Sequence, residues 1–556
     1  MNIKKLSIYI LCFAYWLNPC NAQQRTIERF HLSTDRAFYI SGERIWLSLF
    51  CFDLSEPSLH LSNLSSVGYV ELRNGATLIS SAKIRLEKGR GSGKMEIPLS
   101  ASTGNYTLVA YTKQMLNEEK LHIFEKTVSI VNTLSTDKDD RNVIITEEST
   151  ANVLPPPSPV SSKYIEVLDG HSNSISIQNL SDEPITFSLS IAKVDVPVAQ
   201  ESSVTDFSTQ QFNRAEITFN NNYIPEYEGE IIKGWVKDVI NAPSGDNAIF
   251  LSATGSELDI YASTVDAKTG EFTFYTHSLY GDREITLTYP LANEASFELF
   301  DPFVKPPVKT APPLYLDKSI ESLLEDRCVE MQVNHRFGLD TLFDQTVIQD
   351  DPFIYRRKPI VYDLDNYTRF PTMQDISIEF ISEMRFRRVN NQPTLQIAQV
   401  ADVGFRYGEN PLIMIDGIAI FDHERLFSYD PTRVKSISIY QSDYRIGNNT
   451  FNGIAKLNTY TGKYPGLTLG KNALILDFQG AQTPCRFTGK EVAESENLPD
   501  IRSLLFWDPQ IDLNSGEKRE IMVRTSSMDG RYAIIIEGFT NVGEPIYYRS
   551  EWVIEK

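Results

Sequence analysis

Short runs in which hydrophobic and polar residues alternate recur along most of this 556-residue chain, and turn-forming residues stand between the runs. One run places Ile45, Leu47 and Leu49 on one side of an extended segment, directly after the turn at 41–43. A period of two residues is typical of a half-buried β-strand. The same pattern predicts strands at 67–72, 82–86, 93–99, 106–111, 174–177, 185–192, 231–236, 248–253, 260–264, 271–275, 284–288 and 474–478. The chain is therefore predicted to be mainly β, a string of small sandwiches.

A different pattern, over residues 361–462, combines a helical period with strands. Apolar residues recur at intervals of three and four after Thr372, which predicts a helix with the positions Met373, Ile376, Phe380 and Met384 on one face. Apolar runs follow at 412–415, 434–440 and 454–457, and turn pairs separate them at 416–417, 430–431 and 448–449. One α+β unit is therefore predicted among the sandwiches.

A second helix is predicted ahead of this unit, because Ile320, Leu323, Leu324, Cys328 and Met331 also fall at helical spacing. The helix carries acidic residues and lacks a basic face. We therefore expect it to pack on a sheet rather than on a membrane.

Composition supports a folded, multidomain chain. Hydrophobic residues make up 41% and charged residues 23%, which are the values of globular proteins. Two proline-rich stretches, 136–162 and 301–314, are predicted to be linkers, because proline stiffens a chain and cannot continue a helix or a central strand.

The first 22 residues are predicted to be a secretion signal. Lys4 and Lys5 precede an apolar stretch at 6–17, and Ala22 precedes a cleavage point before Gln23. The alternative is a lipoprotein signal in which Cys20 is acylated. The remainder is predicted to have no transmembrane segment, and to be exported to the periplasm or the periphery of an outer membrane.

The chain is strongly acidic, with a net charge of −20. Because such a surface repels phosphate backbones, nucleic acid is not an expected partner. After the leader only Cys51, Cys328 and Cys485 remain, at spacings that suit neither a disulfide framework nor a metal site. They are predicted to be small buried apolar residues, and no metal or other cofactor is expected.

The start of the first sandwich carries a recognisable set of residues: Thr34-Asp35-Arg36, Tyr39, Gly42-Glu43 and Ile45-Trp46, followed later by Gly104-Asn105-Tyr106. This set resembles the macroglobulin-type MG2 domain of large exported proteins of Bacteroidota. Farther along, the entry strand with Gly234 and Val236 and the hairpin from Thr269-Gly270 to Phe274 resemble a carboxypeptidase regulatory-like domain, an Ig-type sandwich. Neither resemblance implies thioester or zinc-peptidase chemistry, because the required motifs are missing.

The α+β unit resembles the plug domain of TonB-dependent outer-membrane receptors, through Asp416-Gly417, Gly447 and Gly453-Ile454. The last residues resemble a C-terminal Ig-like domain of the same exported family. Together the resemblances divide the chain into a signal peptide (1–22), an MG2-like sandwich (23–135), a linker (136–162), a short MG3-like sandwich (163–222), a regulatory-like sandwich (223–300), a linker (301–314), the plug-like unit (315–469) and a C-terminal Ig-like domain (470–556).

Too few residues follow position 462 to form the barrel that surrounds a receptor plug. We therefore expect a non-catalytic scaffold that docks through its plug-like unit on an outer-membrane protein complex. The candidate partners are a barrel protein or a TonB-dependent transporter. The docking loops are predicted to contain Asp416, Gly417, Phe421, Tyr429, Tyr444, Asn448 and Phe451. Burial of these loops against the chain's own sandwiches would contradict this assignment.

Two alternatives have a different basis. Exposed aromatic residues would suit a glycan- or peptide-binding accessory of a TonB-dependent uptake system, and the candidates are Tyr355, Tyr362 and Tyr367. An enzyme would need a catalytic constellation, and the best candidate is an acidic cluster near a histidine, formed by Asp351, Asp363, Asp365 and His335.

Overall fold

The computed structural model describes fourteen ranges of the chain, and the predicted leader lies outside them. These ranges are 26–55, 60–135, 143–146, 163–172, 174–194, 217–237, 247–255, 259–277, 279–346, 358–389, 391–400, 405–408, 410–489 and 500–554. None of the helices within them has the length and apolarity that a membrane crossing needs.

In the described residues up to 317 the regular structure is almost entirely extended, with one turn of 3₁₀-helix at Met115–Asn117. The strands are β1 (Glu28–Thr34), β2 (Phe38–Ile40), β3 (Arg44–Asp53), β4 (His60–Leu61), β5 (Val67–Asn74), β6 (Thr77–Arg85), β7 (Arg90–Glu96), β8 (Gly104–Tyr111), β9 (Phe124–Val131), β10 (Val143–Thr146), β11 (Ile165–Ser172), β12 (Ser174–Asn179), β13 (Ile185–Lys193), β14 (Ile231–Lys237), β15 (Ala248–Ala253), β16 (Ile260–Thr264), β17 (Glu271–Tyr275), β18 (Asp282–Thr288), β19 (Ser296–Leu299) and β20 (Leu314–Asp317).

The rest of the chain adds helices. The helices are α1 (Glu321–Phe337), α2 (Met373–Glu379) and α3 (His423–Phe427), and the strands are β21 (Asp344–Gln345), β22 (Ile360–Asp363), β23 (Met384–Val389), β24 (Gln392–Val400), β25 (Phe405–Gly408), β26 (Leu412–Ile415), β27 (Ile418–Ile420), β28 (Val434–Ile446), β29 (Asn449–Thr459), β30 (Ala473–Gln479), β31 (Cys485–Arg486), β32 (Leu504–Leu513), β33 (Lys518–Met522), β34 (Gly530–Thr540) and β35 (Pro545–Ile554). The prediction of a mainly β chain of sandwiches with one α+β unit is confirmed.

The first sandwich contains β1 to β9. One sheet has the order β2-β9-β8-β5-β6, and the other joins β3 to β1, β4 and β7. Ile45, Leu47 and Leu49 face the core, as their alternation predicts. The residues between them are also buried, because other parts of the chain cover the outer face of β3: Trp46 packs with Trp507, and Ser48 donates to the carbonyl oxygen of Pro509 at 2.7 Å.

The second sandwich corrects two predicted domain boundaries. The predicted short sandwich at 163–222 and the predicted C-terminal domain at 470–556 supply strands to the same two sheets, β11-β12-β33 and β32-β13-β34-β35. Their residues share one core, in which Phe187 lies among Leu505, Tyr532 and Ile534. The physical reason is that β13 is buried along its length and needs a neighbour on each edge, which the preceding hairpin alone does not provide.

The third sandwich also recruits a distant strand. Its sheets are β17-β14-β19 and β16-β15-β18-β30. Strand β30 was predicted to open the C-terminal domain. It instead pairs with β18 from Asp282↔Gln479 to Thr288↔Ala473, and Phe478 joins the core of this sandwich.

The α+β unit contains a five-stranded sheet, β22-β28-β29-β26-β27, and a smaller one, β23-β24-β25. Helix α2 begins as predicted, because the Thr372 hydroxyl accepts a hydrogen bond from the backbone N–H of Asp375 at 3.1 Å. It ends earlier than predicted, at Glu379. Met384 begins β23 and still reaches the core of the unit, so its apolar spacing reflects burial rather than helix.

Helix α1 packs on a sheet, as predicted. Met331 joins Phe38, Ile40 and Val131 of the first sandwich. Buried charges reinforce the contact: Arg327 donates to Glu43 at 2.5 Å, and Glu330 accepts from the backbone of Ser503, in the second sandwich, at 2.5 Å. Helix α1 therefore joins two sandwiches.

The proline-rich stretch 301–314 was predicted to be a linker, and it lies along the first sandwich. The backbone N–H of Val304 donates to the Tyr111 hydroxyl at 3.0 Å, and Asn105 donates to the carbonyl oxygen of Pro312 at 3.0 Å. Prolines keep their carbonyl acceptors, so an extended proline segment still binds polar side chains. Of the three predicted buried cysteines, Cys51 and Cys485 are buried and Cys328 is half-buried.

Candidate functional site

The predicted docking loops of the α+β unit lie against the third sandwich. Phe250 of β15 has its ring centroid 4.5 Å from that of Phe421 and 5.9 Å from that of Phe451. Tyr444 is buried in the same cluster, which also contains Leu412 and other apolar residues of the unit. We refer to Phe250, Phe421, Tyr444 and Phe451 as the Phe250 interface.

The Asp416-Gly417 turn is part of this contact. Both residues have positive φ, +48° and +91°, as the two-residue hairpin between β26 and β27 requires. A Cβ at position 417 would lie 2.3 Å from the carbonyl oxygen of Ala253, so only glycine permits the approach to the third sandwich. The Asp416 carboxylate faces inward and accepts hydrogen bonds from the backbone of Thr459 at 2.7 Å and of Tyr464 at 2.6 Å.

Two further predicted residues have different surroundings. Tyr429 is buried in the core of the α+β unit and donates to the carbonyl oxygen of Pro465 at 2.9 Å, and burial raises its pKa to about 12. Asn448 lies at the tip of the β28–β29 hairpin and is exposed. The assignment of these loops as a free docking surface is therefore wrong. Their apolar residues are strongly attracted to any apolar neighbour, and the chain itself supplies that neighbour.

The opposite edge of the larger sheet of the unit, at β22, is exposed. Strand β22 pairs with β28 on one side only, and no described strand pairs with its other side. Val361 on this strand is 59% exposed. An unpaired strand edge can accept a further strand through backbone hydrogen bonds.

Aromatic residues cluster beside this edge. Tyr367, which is 41% exposed, stacks on Phe380 with ring centroids 4.3 Å apart and planes 5° apart. The Tyr362 ring lies 6.0 Å from that of Tyr367. Tyr460 is also exposed and is joined to Tyr367's loop by Asp365, which accepts its hydroxyl hydrogen. We call Tyr362, Tyr367, Phe380 and Tyr460 the aromatic face.

Polar groups hold this face in place. Arg369 donates to Asp365 and to the carbonyl oxygen of Val434, the latter at 2.8 Å. Hydrogen bonds from Tyr460 and Arg369 lower the pKa of Asp365, so this carboxylate is charged at neutral pH. Burial, with the Glu383 carboxylate that accepts its hydroxyl hydrogen, raises the pKa of Tyr362. The face is thus a fixed apolar surface with a charged border.

The sequence identifies this face only in part. Tyr362 and Tyr367 are two of the three aromatic residues proposed for ligand binding, and the third, Tyr355, lies outside the described residues. Phe380 was assigned to the buried side of a helix, and Tyr460 carried no signal. Their proximity depends on the pairing of β22, β28 and β29, which no local pattern specifies.

The candidate catalytic cluster is divided between different parts of the chain. Asp363 caps the 3₁₀ turn at Leu364–Asn366, and Asp365 binds Arg369. His335 lies on α1, with Nε2 2.9 Å from the carbonyl oxygen of Gly42 in the first sandwich. Asp351 lies outside the described residues. In the part of the chain that the structure describes, no three His, Cys, Asp or Glu side chains are grouped as a metal site.

Comparisons with known proteins concern the architecture only. No protein-family model matches the chain, and no curated protein sequence matches it. Among solved structures it is similar to the native conformation of Escherichia coli alpha-2-macroglobulin, at 8% identity over 97% of this chain and 40% of that one, with a TM-score of 0.24. Salmonella alpha-2-macroglobulin reacted with methylamine gives 9% identity, 95% and 39% coverage, and a TM-score of 0.24.

A dimeric latent PorU from Porphyromonas gingivalis gives 8% identity, 95% and 34% coverage, and a TM-score of 0.14. The chain spans about two fifths of the length of the two macroglobulins, 40% and 39%. TM-scores this low support no argument about what the chain binds or does. The chain is thus similar to alpha-2-macroglobulins, and its function has to be inferred from its own residues.

Proposed function

We propose that this chain is a non-catalytic interaction protein of the periplasm or the outer-membrane periphery, and that its plug-like unit docks on an outer-membrane protein complex. The docking surface in this proposal is the free edge of β22 with the aromatic face beside it. It replaces the loops of the Phe250 interface, which the third sandwich occupies.

One observation carries the proposal: an exposed strand edge and an exposed aromatic cluster lie side by side on one unit. Backbone groups of β22 would pair with a strand of the partner, and Tyr367 and Tyr460 would pack against its side chains. Tyrosines suit such contacts, since they bury a large apolar area and lose little conformational freedom. The resemblance of the unit to receptor plugs, and the predicted export signal, point to a partner in the outer membrane.

The test places a photo-crosslinking residue at Val361 or Tyr367 in cells that express the chain naturally. We expect both positions to trap the same outer-membrane protein, and the exposed Tyr275 of the third sandwich to trap none. The adduct at position 361 should disappear when Tyr367 is changed to alanine. Absence of a common adduct, or an equal adduct at position 275, would overturn the proposal.

A glycan-binding accessory of a TonB-dependent uptake system is the second candidate, because the aromatic face has open rings next to charged groups. Sugar rings stack on aromatic side chains and donate to carboxylates such as Asp365. Calorimetric titration with oligosaccharides from the cell envelope separates the two functions. Binding that is lost in Tyr367→Ala, together with no protein adduct, would favour the glycan.

A further inference from the structure

A cavity of about 740 Å³ lies where the first sandwich, the third sandwich and the segment 301–304 meet. Its volume falls in the range of pockets that hold small organic ligands. Most of its wall is apolar, and the apolar lining residues include Ile232, Leu299, Phe300, Phe303, Leu476 and Phe478. None of these residues belongs to the aromatic face or the Phe250 interface, so the cavity is a separate feature.

One charged pair in the cavity is complete. The Lys83 ammonium donates to both carboxylate oxygens of Glu230, at 2.6 and 2.8 Å, and lies 4.3 Å from the centroid of the Phe478 ring. Each of these charges has its opposite at contact distance. The pair therefore closes the junction between the two sandwiches and leaves no net charge there.

Two further charged groups in the cavity, Glu226 and Lys113, form no contact ion pair. Glu226 is 2% exposed, and one of its oxygens accepts from the Tyr69 hydroxyl and from the backbone of Ile231, both at 2.9 Å. Its other oxygen, Oε2, accepts no hydrogen bond from any described residue. Buried carboxylate oxygens usually accept a hydrogen bond, so Glu226 Oε2 can accept one from a further partner.

Lys113 supplies a cation that forms no contact ion pair with a described carboxylate. Its ammonium donates to the carbonyl oxygen of Pro302 and lies 4.3 Å from the centroid of the Tyr69 ring. No carboxylate of a described residue forms an ion pair with it, and the nearby Asp301 is paired with Lys305 at 2.7 Å. Burial lowers the pKa of Lys113 and raises that of Glu226 to about 7. The two groups attract each other through the cavity, but they form no contact ion pair, and burial outweighs this attraction for both.

We propose that this cavity binds a carboxylate attached to an apolar body, with the carboxylate on the Lys113 ammonium and the body against Leu476, Phe478 and Phe300. A protonated Glu226 would then donate from Oε2 to the second carboxylate oxygen. A cationic ligand fits less well, because it would bind Glu226 but leave the Lys113 ammonium without a contact ion pair. The inference goes beyond the proposed docking function and does not depend on it. The carboxylate could belong to a free apolar acid or to the C-terminus of an apolar peptide.

The experiment uses the mature chain and isothermal titration calorimetry. The probes are dodecanoate, dodecanol, and the peptide acetyl-Ala-Ala-Phe-Leu with a free or an amidated C-terminus. We expect one of the two carboxylates to bind, and its uncharged counterpart to bind at least about tenfold more weakly. Binding of dodecanoate alone assigns the free acid, and binding of the free-acid peptide alone assigns a chain end. Equal binding of the charged and uncharged forms, or no binding, overturns the proposal.

Variants locate the binding in the cavity. Lys113→Gln should weaken it about tenfold or more, whereas Lys233→Gln, at an exposed lysine of the cavity wall, should leave it unchanged. Leu476→Trp fills the cavity with apolar volume, so it should abolish binding while the melting temperature stays the same or rises. Unchanged affinity in both Lys113→Gln and Leu476→Trp would place the binding elsewhere and overturn the proposal.

Discussion

Replacing Phe250 by alanine should loosen the α+β unit from the third sandwich without unfolding either. Phe250 is 4% exposed, and its ring contacts Phe421 and Phe451 across the interface. Truncating a buried phenylalanine costs about 3–5 kcal/mol, from lost apolar burial and from the cavity that remains. Most of this cost falls on the interface, because the partners of Phe250 belong to the other unit.

Hydrogen exchange measured by mass spectrometry resolves this effect by segment. A loss of about 3 kcal/mol corresponds to roughly hundredfold faster exchange where protection depends on the interface. We expect this acceleration in the β28–β29 hairpin around Tyr444 and in the 416–421 turn. Strands β23 and β24 should keep their protection, since Met384, Leu395 and Ile397 belong to the separate core of the α+β unit.

The matched control is Tyr275→Ala, which removes an exposed aromatic residue from the same sandwich. It should change exchange nowhere in the α+β unit. If Phe250→Ala folds and the hairpin exchanges at the wild-type rate, the Phe250 interface does not hold the unit in place. The loops would then again be available for a partner, and the correction of the docking assignment would fail.

Three further predictions concern stability. Arg327→Ala should cost about 3 kcal/mol in chemical denaturation, because it removes the nearest cation of the buried Glu43 and Glu330 and leaves Arg36 as the remaining one. Arg336→Ala, at an exposed position of the same helix, should cost under about 1 kcal/mol, and equal losses would refute the role of the buried charges. Asp416→Ala should cost about 2 kcal/mol or more, because it leaves the backbone N–H groups of Thr459 and Tyr464 unpaired. Asp416→Asn should retain part of the stability, since asparagine tolerates positive φ and keeps an acceptor. A less stable asparagine variant than alanine variant would contradict this role of the Asp416 side chain. Burial, with Glu230 nearby, raises the pKa of Glu226 from 4.5 to about 7. Between these pH values the folded chain therefore holds a proton on Glu226 that the unfolded chain releases. The free energy of unfolding should fall as the pH rises through this range, by up to about 3 kcal/mol. In Glu226→Gln this contribution is absent while Lys83, Lys113, Glu230 and Tyr69 remain, so the stability difference between the two proteins should change over that range, and a constant difference would be incompatible with the raised pKa.

Local patterns were reliable where one segment buries its own face. The alternation at Ile45, Leu47 and Leu49 predicts β3, and the spacing from Ile320 to Met331 predicts α1 and its contact with a sheet. The Thr372 cap predicts where α2 begins. In each case the periodicity of the side chains or the capping residue lies within one short stretch of sequence. The element can therefore be predicted without knowledge of a distant partner.

Long-range pairing was the main source of error. Strand β13 reads as part of a short domain, yet it pairs with β32 and β34, which follow it by more than three hundred positions. Strand β30 reads as the start of a domain, yet it completes the sheet of the third sandwich. The edge of a strand does not specify which strand pairs with it, because backbone hydrogen bonds are the same at every residue. Proximity along the chain was therefore a misleading guide to domain boundaries.

The candidate site shows the same division. Aromatic residues and glycines of the α+β unit could be recognised as special, and the sequence placed Asp416-Gly417 in a turn. Whether Phe421 and Phe451 face a partner or the chain's own Phe250 depends on where another sandwich packs. The cavity with Glu226 and Lys113 gave no sequence signal, because its walls come from five separate segments.

The sequence alone determined the strand-rich architecture, the α+β unit, the turn at Asp416-Gly417 and the position of α1. These features follow from hydrophobic period, capping and backbone freedom, which act over a few residues. Only the tertiary structure decided which strands share a sheet, and which apolar loops are buried or exposed. It also decided that Glu226 and Lys113 line one cavity without forming an ion pair. Those outcomes depend on burial between segments that lie hundreds of residues apart, and burial is a property of the packed chain.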